Sequence, residues 1–564
     1  MKRVLPIVLL AGGCHFVLDP DSVPPPAPSG LTYAVVSAVY TLGQTIASNV
    51  PSSGGGPVVS YAINPSLPEG LGFNTTTGVI SGTPAVLSPA TDYTVTATNA
   101  GGSTTATLTI AVLSTSTSAT AIDFISPAWT SMAGACLGPV RIQAEDAAGN
   151  PSLLSSDATV ALTASAPQVT FFSDAPCAQA ISSVVLAAGA PEAAFYFRSR
   201  ATGAVTLRAS AGSLGSPTQT EQIVPNVRAG SCTIGAGSLF AACSIGWPGV
   251  LDASRAFLVV QAISDDNNAS GVNVRCSLAD AGTIDCNRYA GTGTVEVAWQ
   301  LVALAAGIRV QRVNNSQCTG SNPILLPQVV NPSQTFVLFT AEGAGAIVES
   351  NDYRMVRLVG NDRLEVMNDI GCANGLLDVQ VVELEGAVVE RGVADAGLVT
   401  SVTVTTASAA DPARSFLLHS ARFTGAAVLC GYQIRGTLAG PNTITFTRGD
   451  GNDAVCQSPD LPAIAWERVT LPPGGTSQQL SVSMVGGQTF ATASITPVDP
   501  ARSFTFSSSQ FNAGAGFGET SFNGDDRPGA AGARHRLAAG NRLELNRAVD
   551  AGTARWTSYV VELP

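Results

Sequence analysis

The hexapeptide DPARSF occurs twice in this chain, at 411–416 and at 499–504. Two related hexapeptides, DASRAF at 252–257 and NPSQTF at 331–336, end in the same phenylalanine. Asp, Asn, Pro and Ser favour turns and apolar residues follow each phenylalanine, so every copy predicts a turn that enters a strand. The copies start 79, 80 and 88 residues apart, and a spacing of this length indicates tandem structural repeats.

Two further sequence features follow each hexapeptide in the same order. The first predicts a hairpin, because a leucine precedes another aliphatic residue by six positions: LADAGTI (278–284), LVGNDRL (358–364), LAGPNTI (438–444) and LAAGNRL (537–543). The second predicts a strand: EVAWQLVAL (296–304), LDVQVVEL (377–384), IAWERVTL (464–471) and RWTSYVVEL (555–563). The sequence therefore predicts four related β-modules: 227–309, 310–390, 391–475 and 476–564.

Composition extends this prediction to the whole chain. Charged residues amount to only 12%, whereas 57 glycines and 34 prolines are present, which is typical of strands and turns. A hydrophobic share of 45% argues against disorder. We therefore expect an all-β protein, a tandem array of small antiparallel β-sandwich domains.

The charge balance excludes one class of partner. The net charge is −12 and Lys2 is the only lysine, so no basic stripe can neutralise phosphates. Nucleic acid is therefore excluded as a partner. Beyond residue 13, no apolar run approaches the roughly 18 residues that span a bilayer.

The N-terminus has the order of an export signal. Two basic residues precede a short apolar run, and the small residues AGG lead directly into Cys14. The stretch resembles a bacterial lipoprotein signal, although Ala11 stands where that pattern usually has leucine. The resemblance implies a signal peptide at 1–13 and a diacylated Cys14 that anchors the protein to a membrane. An ordinary cleaved signal and a buried N-terminal strand are the alternatives.

A Pro-rich segment at 14–29 predicts an extended spacer behind the anchor. His15 follows the cysteine, where Asp marks inner-membrane retention in some bacterial lipoproteins. The resemblance therefore favours the outer membrane, facing either the periplasm or the medium.

Two segments between the spacer and the repeats resemble bacterial Ig-like domains. PSLPEGLGFNTTTGVISGTP at 65–84 resembles the putative-Ig, cadherin-like domain of bacterial surface proteins, which implies a sandwich over 30–113, within a domain of 30–115. VRIQAEDAAGNPS at 140–152 resembles invasin/intimin-type Ig-like domains, which implies a second sandwich over 119–226, within a domain of 116–226. Neither resemblance implies an active site.

The 11 cysteines leave one residue unmatched. With Cys14 set aside, the remainder fall by module into disulfide pairs: Cys136/Cys177, Cys232/Cys243, Cys276/Cys286, Cys318/Cys372 and Cys430/Cys456. The first repeat holds four cysteines, which allow three pairings. Zinc is the competing use, but neither C-x-x-C spacing nor nearby histidines are present. We therefore expect no metal and no cofactor.

The sequence offers few candidates for chemistry. The recurring phenylalanines are best interpreted as core anchors. Trp299 and Trp466 have the same first interpretation, with stacking on a sugar as the alternative. The histidines outside the spacer, His419 and His535, occupy strand positions that sibling repeats fill with other residues, so we expect no catalytic residue. Asp146 and the acid-rich loops 264–268 and 523–529 are interpreted as turns rather than calcium sites.

Together these features predict a non-enzymatic lipoprotein of the bacterial cell envelope. The leading hypothesis is adhesion or ligand display, in which a rigid row of β-modules extends outward and presents repeated weak sites to a polysaccharide or a surface protein. The insertions near 450–462 and 517–532 are the first places to look for a ligand. A purely structural envelope protein is the alternative, and a polysaccharide-acting enzyme is the third hypothesis.

Overall fold

A computed structural model describes most of the chain. The described residues are 25–113, 119–247, 251–265, 273–289, 291, 293–316, 323–343, 353–367, 376–395, 400–423, 433–449, 463–512, 532–550 and 552–564. Among them, no helix has the length and apolar character that a membrane span requires. The all-β prediction is confirmed, because the described secondary structure consists of strands and short 3-10 turns.

The chain divides into two compact units. The N-terminal unit comprises Met1–Trp129, Cys136–Arg198 and Val205–Glu221, and the repeat unit comprises Thr130–Ala135, Ser199–Ala204 and Gln222–Pro564.

The 3-10 turns lie at Gly212–Leu214, Ala253–Arg255, Pro332–Gln334 and Pro412–Arg414.

The first sandwich contains eight strands. They are β1 (Pro28–Tyr33), β2 (Ser37–Thr41), β3 (Pro51–Gly55), β4 (Ser60–Asn64), β5 (Leu71–Phe73), β6 (Ile80–Gly82), β7 (Ser88–Asn99) and β8 (Gly102–Leu113). The main sheet has the order β2-β8-β7-β4, and β1-β3 and β5-β6 form two smaller sheets. Alternation along β7 buries Tyr93, Val95 and Ala97 on one face.

The motif FNTTTGVISGTP forms a tight turn over the core of this sandwich. The Asn74 side chain accepts hydrogen bonds from the backbone N–H groups of Thr76 and Thr77, both at 2.9 Å. Gly78 has φ +72°, and a Cβ there would lie 2.8 Å from Tyr61. Tyr33 donates to the Gly78 carbonyl at 2.6 Å, so the turn is fastened to the first strand.

The second sandwich contains ten strands. They are β9 (Ala121–Phe124), β10 (Thr130–Met132), β11 (Cys136–Glu145), β12 (Ala158–Ala164), β13 (Val169–Phe172), β14 (Ala180–Ile181), β15 (Ser183–Leu186), β16 (Ala193–Ser199), β17 (Gly203–Ser210) and β18 (Thr218–Val224). One sheet has the order β14-β13-β16-β11-β9, and the other contains β18-β17-β12-β15. Phe195 and Phe197 of β16 are fully buried.

Each repeat contains six strands, called strands one to six below. They are β19 (Val227–Ile234), β20 (Phe240–Ser244), β21 (Ala256–Ser264), β22 (Arg275–Leu278), β23 (Thr283–Asn287) and β24 (Val295–Ala303) in repeat 1; β25 (Ile308–Ser316), β26 (Ile324–Leu325), β27 (Thr335–Ala341), β28 (Met355–Val359), β29 (Arg363–Met367) and β30 (Leu377–Leu384) in repeat 2. They are β31 (Val388–Ala394), β32 (Ser401–Thr405), β33 (Ser415–Arg422), β34 (Arg435–Gly440), β35 (Thr443–Thr447) and β36 (Ala463–Thr470) in repeat 3; β37 (Thr476–Met484), β38 (Phe490–Ser494), β39 (Ser503–Asn512), β40 (Arg534–Ala538), β41 (Arg542–Asn546) and β42 (Thr553–Glu562) in repeat 4.

All four repeats share one topology. Strands one, six and three form one antiparallel sheet in that order, and strands two, five and four form the other. The predicted hairpin is confirmed as strands four and five, in which the two marked residues lie directly opposite each other, as Leu358 and Leu364 do. The boundaries predicted at 309/310 and 390/391 fall inside β25 and β31, so repeats 2 and 3 begin a few residues earlier.

The hexapeptide owes its form to a side-chain cap on a short turn. In DPARSF the Asp411 side chain accepts from the Ala413 N–H at 2.9 Å, and the Ser415 hydroxyl donates back to the Asp411 carbonyl at 2.7 Å. Equivalent side-chain caps occur at Asp252, Asn331 and Asp499. Each cap fixes the direction in which the following phenylalanine enters strand three.

The four phenylalanines meet in a ring. Successive ring centroids are 5.9 Å apart between Phe257 and Phe336 and between Phe336 and Phe416, 6.3 Å between Phe416 and Phe504, and 5.5 Å between Phe504 and Phe257. Every contact is edge to face, and all four side chains belong to one buried cluster. The repeats are therefore closed, and the expectation of a row that extends outward is wrong.

Polar side chains of strand six join repeats 1, 2 and 3 to the repeat before each, whereas Gln479 of strand one joins repeat 4 to Leu438 of repeat 3. The Gln380 amide of repeat 2 bonds both the N–H and the C=O of Leu258 in repeat 1, at 2.7 and 2.8 Å. The Gln300 amide bonds Thr505 of repeat 4 in the same way, at 2.9 and 2.8 Å. Glu467 of repeat 3 accepts from an N–H of repeat 2 at 2.7 Å. The bond from repeat 1 to repeat 4 closes the circle.

A second set of side chains, four positions after each phenylalanine, forms hydrogen bonds across all four interfaces between neighbouring repeats. Ser420 of repeat 3 bonds the N–H and C=O of Val356 in repeat 2, at 3.0 and 3.1 Å. The other members are Gln261 to His535, Thr340 to Cys276 and Ser508 to Gly436. Because each side chain satisfies main-chain groups on an otherwise unpaired strand edge, the interfaces are specific as well as apolar.

Candidate functional site

Clefts between neighbouring repeats contain two cavities at equivalent positions. One, of about 320 Å³, lies between repeats 2 and 3, and the other, of about 430 Å³, lies between repeats 4 and 1. In both, strands one and six of the later repeat face strands three and four of the preceding one. A third cavity, of about 400 Å³, is lined by residues of all four repeats. Cavities of this size accept a small ligand or a single side chain of a partner.

The two tryptophans that the sequence singled out each line one cavity. Trp466 belongs to the cleft between repeats 2 and 3, and Trp299 to the cleft between repeats 4 and 1. Both are nearly buried, with 6% and 3% of their surface exposed. The indole N–H of each has no hydrogen-bond partner within the described structure. The core interpretation therefore accounts for most of each side chain, and sugar stacking stays a prediction.

A glycine on strand one makes room for each tryptophan. Gly230 lies opposite Trp299 and Gly392 lies opposite Trp466 in the strand ladders. A Cβ at either glycine would come within 2.6 Å of the indole. The Gly-Trp pair is therefore a packing unit, since any side chain on the glycine would displace the ring.

The cleft between repeats 2 and 3 contains a buried ion pair. The Arg391 Nε donates to a Glu467 carboxylate oxygen at 3.1 Å, while the second carboxylate oxygen accepts from the Val337 N–H at 2.7 Å. Burial raises the pKa of Glu467, and the neighbouring Arg391 offsets part of that rise. With both oxygens engaged, the carboxylate serves the interface rather than a reaction.

Neither histidine has a catalytic arrangement among the described residues. Burial lowers the pKa of His535 to about 3, and neither ring nitrogen has a hydrogen-bond partner there. Burial lowers the pKa of His419 to about 4, although a contact of 3.1 Å between its Nε2 and the Ile434 carbonyl opposes the shift. Both rings are therefore neutral at physiological pH, and His535 adjoins the cleft between repeats 4 and 1.

The described cysteines pair as the module-by-module assignment predicts. Disulfides join Cys136 to Cys177, Cys232 to Cys243 and Cys276 to Cys286. The sulfurs of Cys232, Cys243 and Cys286 lie within 4.8 Å of one another, a proximity that the sequence spacing does not reveal. Engaged in disulfides, these sulfurs are not available as thiolate ligands.

Several predicted sites fall outside the described residues. These are Cys14 with its signal peptide, Cys318, Cys372, Cys430, Cys456, the insertion near 450–462, most of the insertion near 517–532 and the loop 523–529. Of the candidate calcium ligands, Asp146 accepts hydrogen bonds from the N–H groups of Ala148 and Asn150 at 2.9 and 3.0 Å, as a turn residue does.

Sequence reasoning missed the polar residues that close the repeats. Gln300, Gln380 and Glu467 each follow the middle of an otherwise apolar strand six, directly after a tryptophan or valine. A polar residue at the same place in three repeats is the signal that could have identified them. The same comparison of repeats reveals Arg312 and Arg391 on strand one, with Ala229 at their position in repeat 1.

Comparison with known families identifies one segment. Residues 23–113 match the family model of the Putative Ig domain, which agrees with the predicted first sandwich. No curated protein matches the chain.

Solved structures that match part of the chain include three multidomain proteins. The D00-D0 domain of intimin is 14% identical, with coverage of 35% of this chain and 99% of that one and a TM-score of 0.15. Fibronectin(III)-like modules of Clostridium thermocellum CbhA are 14% identical, with coverage of 34% and 93% and a TM-score of 0.14. The N-terminal four Ig domains of Dscam1 isoform 9.44 are 14% identical, with coverage of 35% and 45% and a TM-score of 0.14.

Proposed function

We propose that this chain is a non-enzymatic lipoprotein of the bacterial cell envelope, in which a closed ring of four repeats binds a surface ligand. Ig-like domains are typical of surface adhesion and structural proteins, and one precedes the ring in the sequence. The observation that carries the binding proposal is the pair of clefts between repeats, because contact between neighbouring repeats creates cavities that no single repeat contains.

The proposed partner is a glycan or a surface protein. Each cleft offers apolar surface beside a few polar groups, the mixture that ligand sites use for affinity and orientation. In the cleft between repeats 2 and 3, for example, Val393 is exposed, and the partly exposed Arg357 supplies guanidinium N–H donors. Two clefts on one ring add avidity only when a ligand reaches both, as a long polysaccharide can.

Blocking each cavity tests the binding proposal. Val393→Trp in the cleft between repeats 2 and 3, and Ser231→Trp in the cleft between repeats 4 and 1, place a bulky side chain at an exposed lining position. Val388→Trp and Thr233→Trp are matched controls, since they are exposed on the same strands outside the cavities. On a glycan array and a panel of surface proteins, specific binding should fall with the first pair alone.

Other outcomes would identify a different function. An absence of specific binding to every glycan and protein tested would favour a purely structural envelope protein. Release of reducing sugar from a polysaccharide would establish an enzyme.

Anchoring has a separate test. The mature N-terminal peptide should carry the mass of a diacylated cysteine, and Cys14→Ser should remove that mass and release the protein from membranes. A wild-type protein that leaves membranes with an unmodified N-terminal peptide would contradict the anchor without affecting the binding proposal.

A further inference from the structure

Two interfaces in the ring hold an arginine against main-chain carbonyls. The guanidinium of Arg312 in repeat 2 donates to the carbonyl oxygens of Ala253 and Ala256 in repeat 1, at 2.6 Å for Ala253. Burial lowers the pKa of Arg312 to about 10, so the group stays charged at neutral pH. Main-chain acceptors therefore suffice to hold a guanidinium here. The space beside these two carbonyl oxygens is called the slot below.

The interface between repeats 2 and 3 has the same arrangement. Arg391 donates to the carbonyls of Pro332 and Thr335, at 2.8 Å for Pro332. These acceptors stand four and one residues before Phe336, as Ala253 and Ala256 do before the phenylalanine of repeat 1. The slot is thus a repeated property of the hexapeptide turn.

Repeat 1 has an alanine where the arginine belongs. In the strand ladders Arg312 lies opposite Gln380, and Ala229 lies opposite Gln300. Both glutamines make the same amide bonds to the preceding repeat, so the register fixes the equivalence. Ala229 is exposed and ends at Cβ, which leaves the slot against repeat 4 without a guanidinium from strand one.

The cavity of about 430 Å³ occupies that position. Ala229 lines one side, and Pro500 and Ser503 line the other. Pro500 and Ser503 stand four and one residues before Phe504, the places that supply the acceptors in the two filled slots. Within the described structure, no side chain donates a hydrogen bond to either carbonyl.

Positive charge near the cavity does not exclude a cation. Arg534 is paired with Glu296, and Arg536 is exposed. Arg357 of repeat 2 is equivalent to Arg536 of repeat 4. It lies beside the slot that the Arg391 side chain fills. Arg357 is paired with Glu365 and Arg391 with Glu467, whereas the charge of the exposed Arg536 is screened by solvent.

We propose that the cavity between repeats 4 and 1 binds a guanidinium group supplied from outside the chain, as the arginine side chain of a partner protein. The carbonyls of Pro500 and Ser503 accept its N–H groups, and the side chain enters from solvent past Ala229. A planar guanidinium fork matches two fixed carbonyls better than an ammonium does. The inference rests on the proposed function, because this cavity is one of its two clefts, and it specifies a surface protein as the ligand there. Methylguanidinium binding can fail while a glycan or protein still binds the clefts, and lipid anchoring does not bear on it.

Calorimetric titration of the whole mature chain with methylguanidinium tests the proposal. The wild-type protein should show one saturable site, and methylammonium should bind at least about tenfold more weakly because it lacks the planar fork. Ala229→Arg should fill the slot and abolish binding. Thr233→Arg adds the same charge on the same strand outside the cavity, so it should bind as the wild type does.

A second variant keeps the test independent of that substitution. Arg312→Ala opens the equivalent slot between repeats 1 and 2, so a folded variant should bind two methylguanidinium ions, and its lowered melting temperature should recover as they bind. An absence of saturable binding to the wild type, unchanged binding by Ala229→Arg, or preference for sulfate over methylguanidinium would overturn the proposal.

Discussion

The first Ig-like domain and the ring of repeats use alternating strands in different ways. In the Ig-like domain, alternation along β7 and most of β8 buries one face in a core within residues 31–110, and the end of β8 packs against Ile125 and Leu153 of the second sandwich. In the ring, strand three also presents apolar side chains to a core shared by all four repeats, in addition to the separate cores of repeats 1 and 2. Polar residues between them, such as Ser420, bond the main chain of a neighbouring repeat instead of facing water.

This difference shows that a repeated motif does not by itself define an independent domain. An Ig-like domain that satisfies its own core should unfold without its neighbours. Each repeat places its phenylalanine against two others, so we expect the four repeats to unfold as one cooperative unit. The following predictions compare the two behaviours.

Removal of repeat 4 should have the largest effect. Ending the chain at residue 475 takes away Phe504 and the partner of Gln300, which opens the circle and exposes the shared core. Calorimetry of the shortened protein should show no cooperative transition for the repeats, while the transition of the Ig-like domain persists. Removal of residues 1–113 is the matched control, after which the ring transition should survive. Three repeats that melt cooperatively would contradict a shared core.

Phe257→Ala should destabilise the ring by about 3 to 5 kcal/mol. The side chain is 2% exposed and contacts Phe336 and Phe504, so its loss leaves a cavity on the ring axis. Phe240→Ala is the control, because that phenylalanine lies in the same repeat but is 49% exposed. Denaturant titration should show a shift below about 0.5 kcal/mol for the control. Equal shifts would argue against the axial role.

Acid should lower the free energy of unfolding of the four-repeat ring, because His535 is buried and neutral. Burial lowers the folded pKa of His535 to about 3, below the unfolded value of about 6.5. Between these values the unfolded chain binds more protons, so stability is present above pH 6.5 and is lost as the pH falls. At pH 5 the loss amounts to about 2 kcal/mol.

The valine of repeat 2 provides the matched variant for that experiment. His535→Val, which copies Val356 at the equivalent position, should reduce the difference in melting temperature between pH 7 and pH 5. The same acid sensitivity in the variant would show that other groups cause it.

Glu467→Gln should have the smallest effect. The substitution reproduces the glutamine of repeats 1 and 2, which can also donate to the main chain of the preceding repeat. Burial raises the pKa of Glu467, so the wild type loses stability as the pH rises through that raised value. The variant should lack this loss and differ from the wild type by less than about 1 kcal/mol at neutral pH. Gln380→Glu should introduce the pH dependence, and its absence would contradict the assignment.

Local features of the ring were predictable from the sequence, whereas its closure was not. The cap of DPARSF and the pairing of Leu358 with Leu364 depend on residues close in the chain. Closure depends on Gln300 meeting Thr505 across a separation of 205 residues. A glutamine within an apolar strand looks like a solvent-facing residue until its distant acceptor is known.

The candidate clefts follow the same distinction. The sequence identified Trp299 and Trp466 as chemically distinctive, and both line clefts. The sequence could not identify the slot between repeats 4 and 1. Ala229 lies opposite the turn of repeat 4 only in the folded structure. Alignment of the repeats by register, rather than by motif alone, is what reveals that substitution.

Crosslinking between the first and last repeats tests the central claim most directly. Glu296 of repeat 1 and Arg534 of repeat 4 form an ion pair, although 238 residues separate them. In a Glu296→Cys/Arg534→Cys double variant, a short bismaleimide should join the two positions within one molecule, as peptide mass spectrometry would detect, and neither single variant should give that product. If the monomer yields no such crosslink while both cysteines react with a monofunctional maleimide, the repeats form an open row and the ring is wrong.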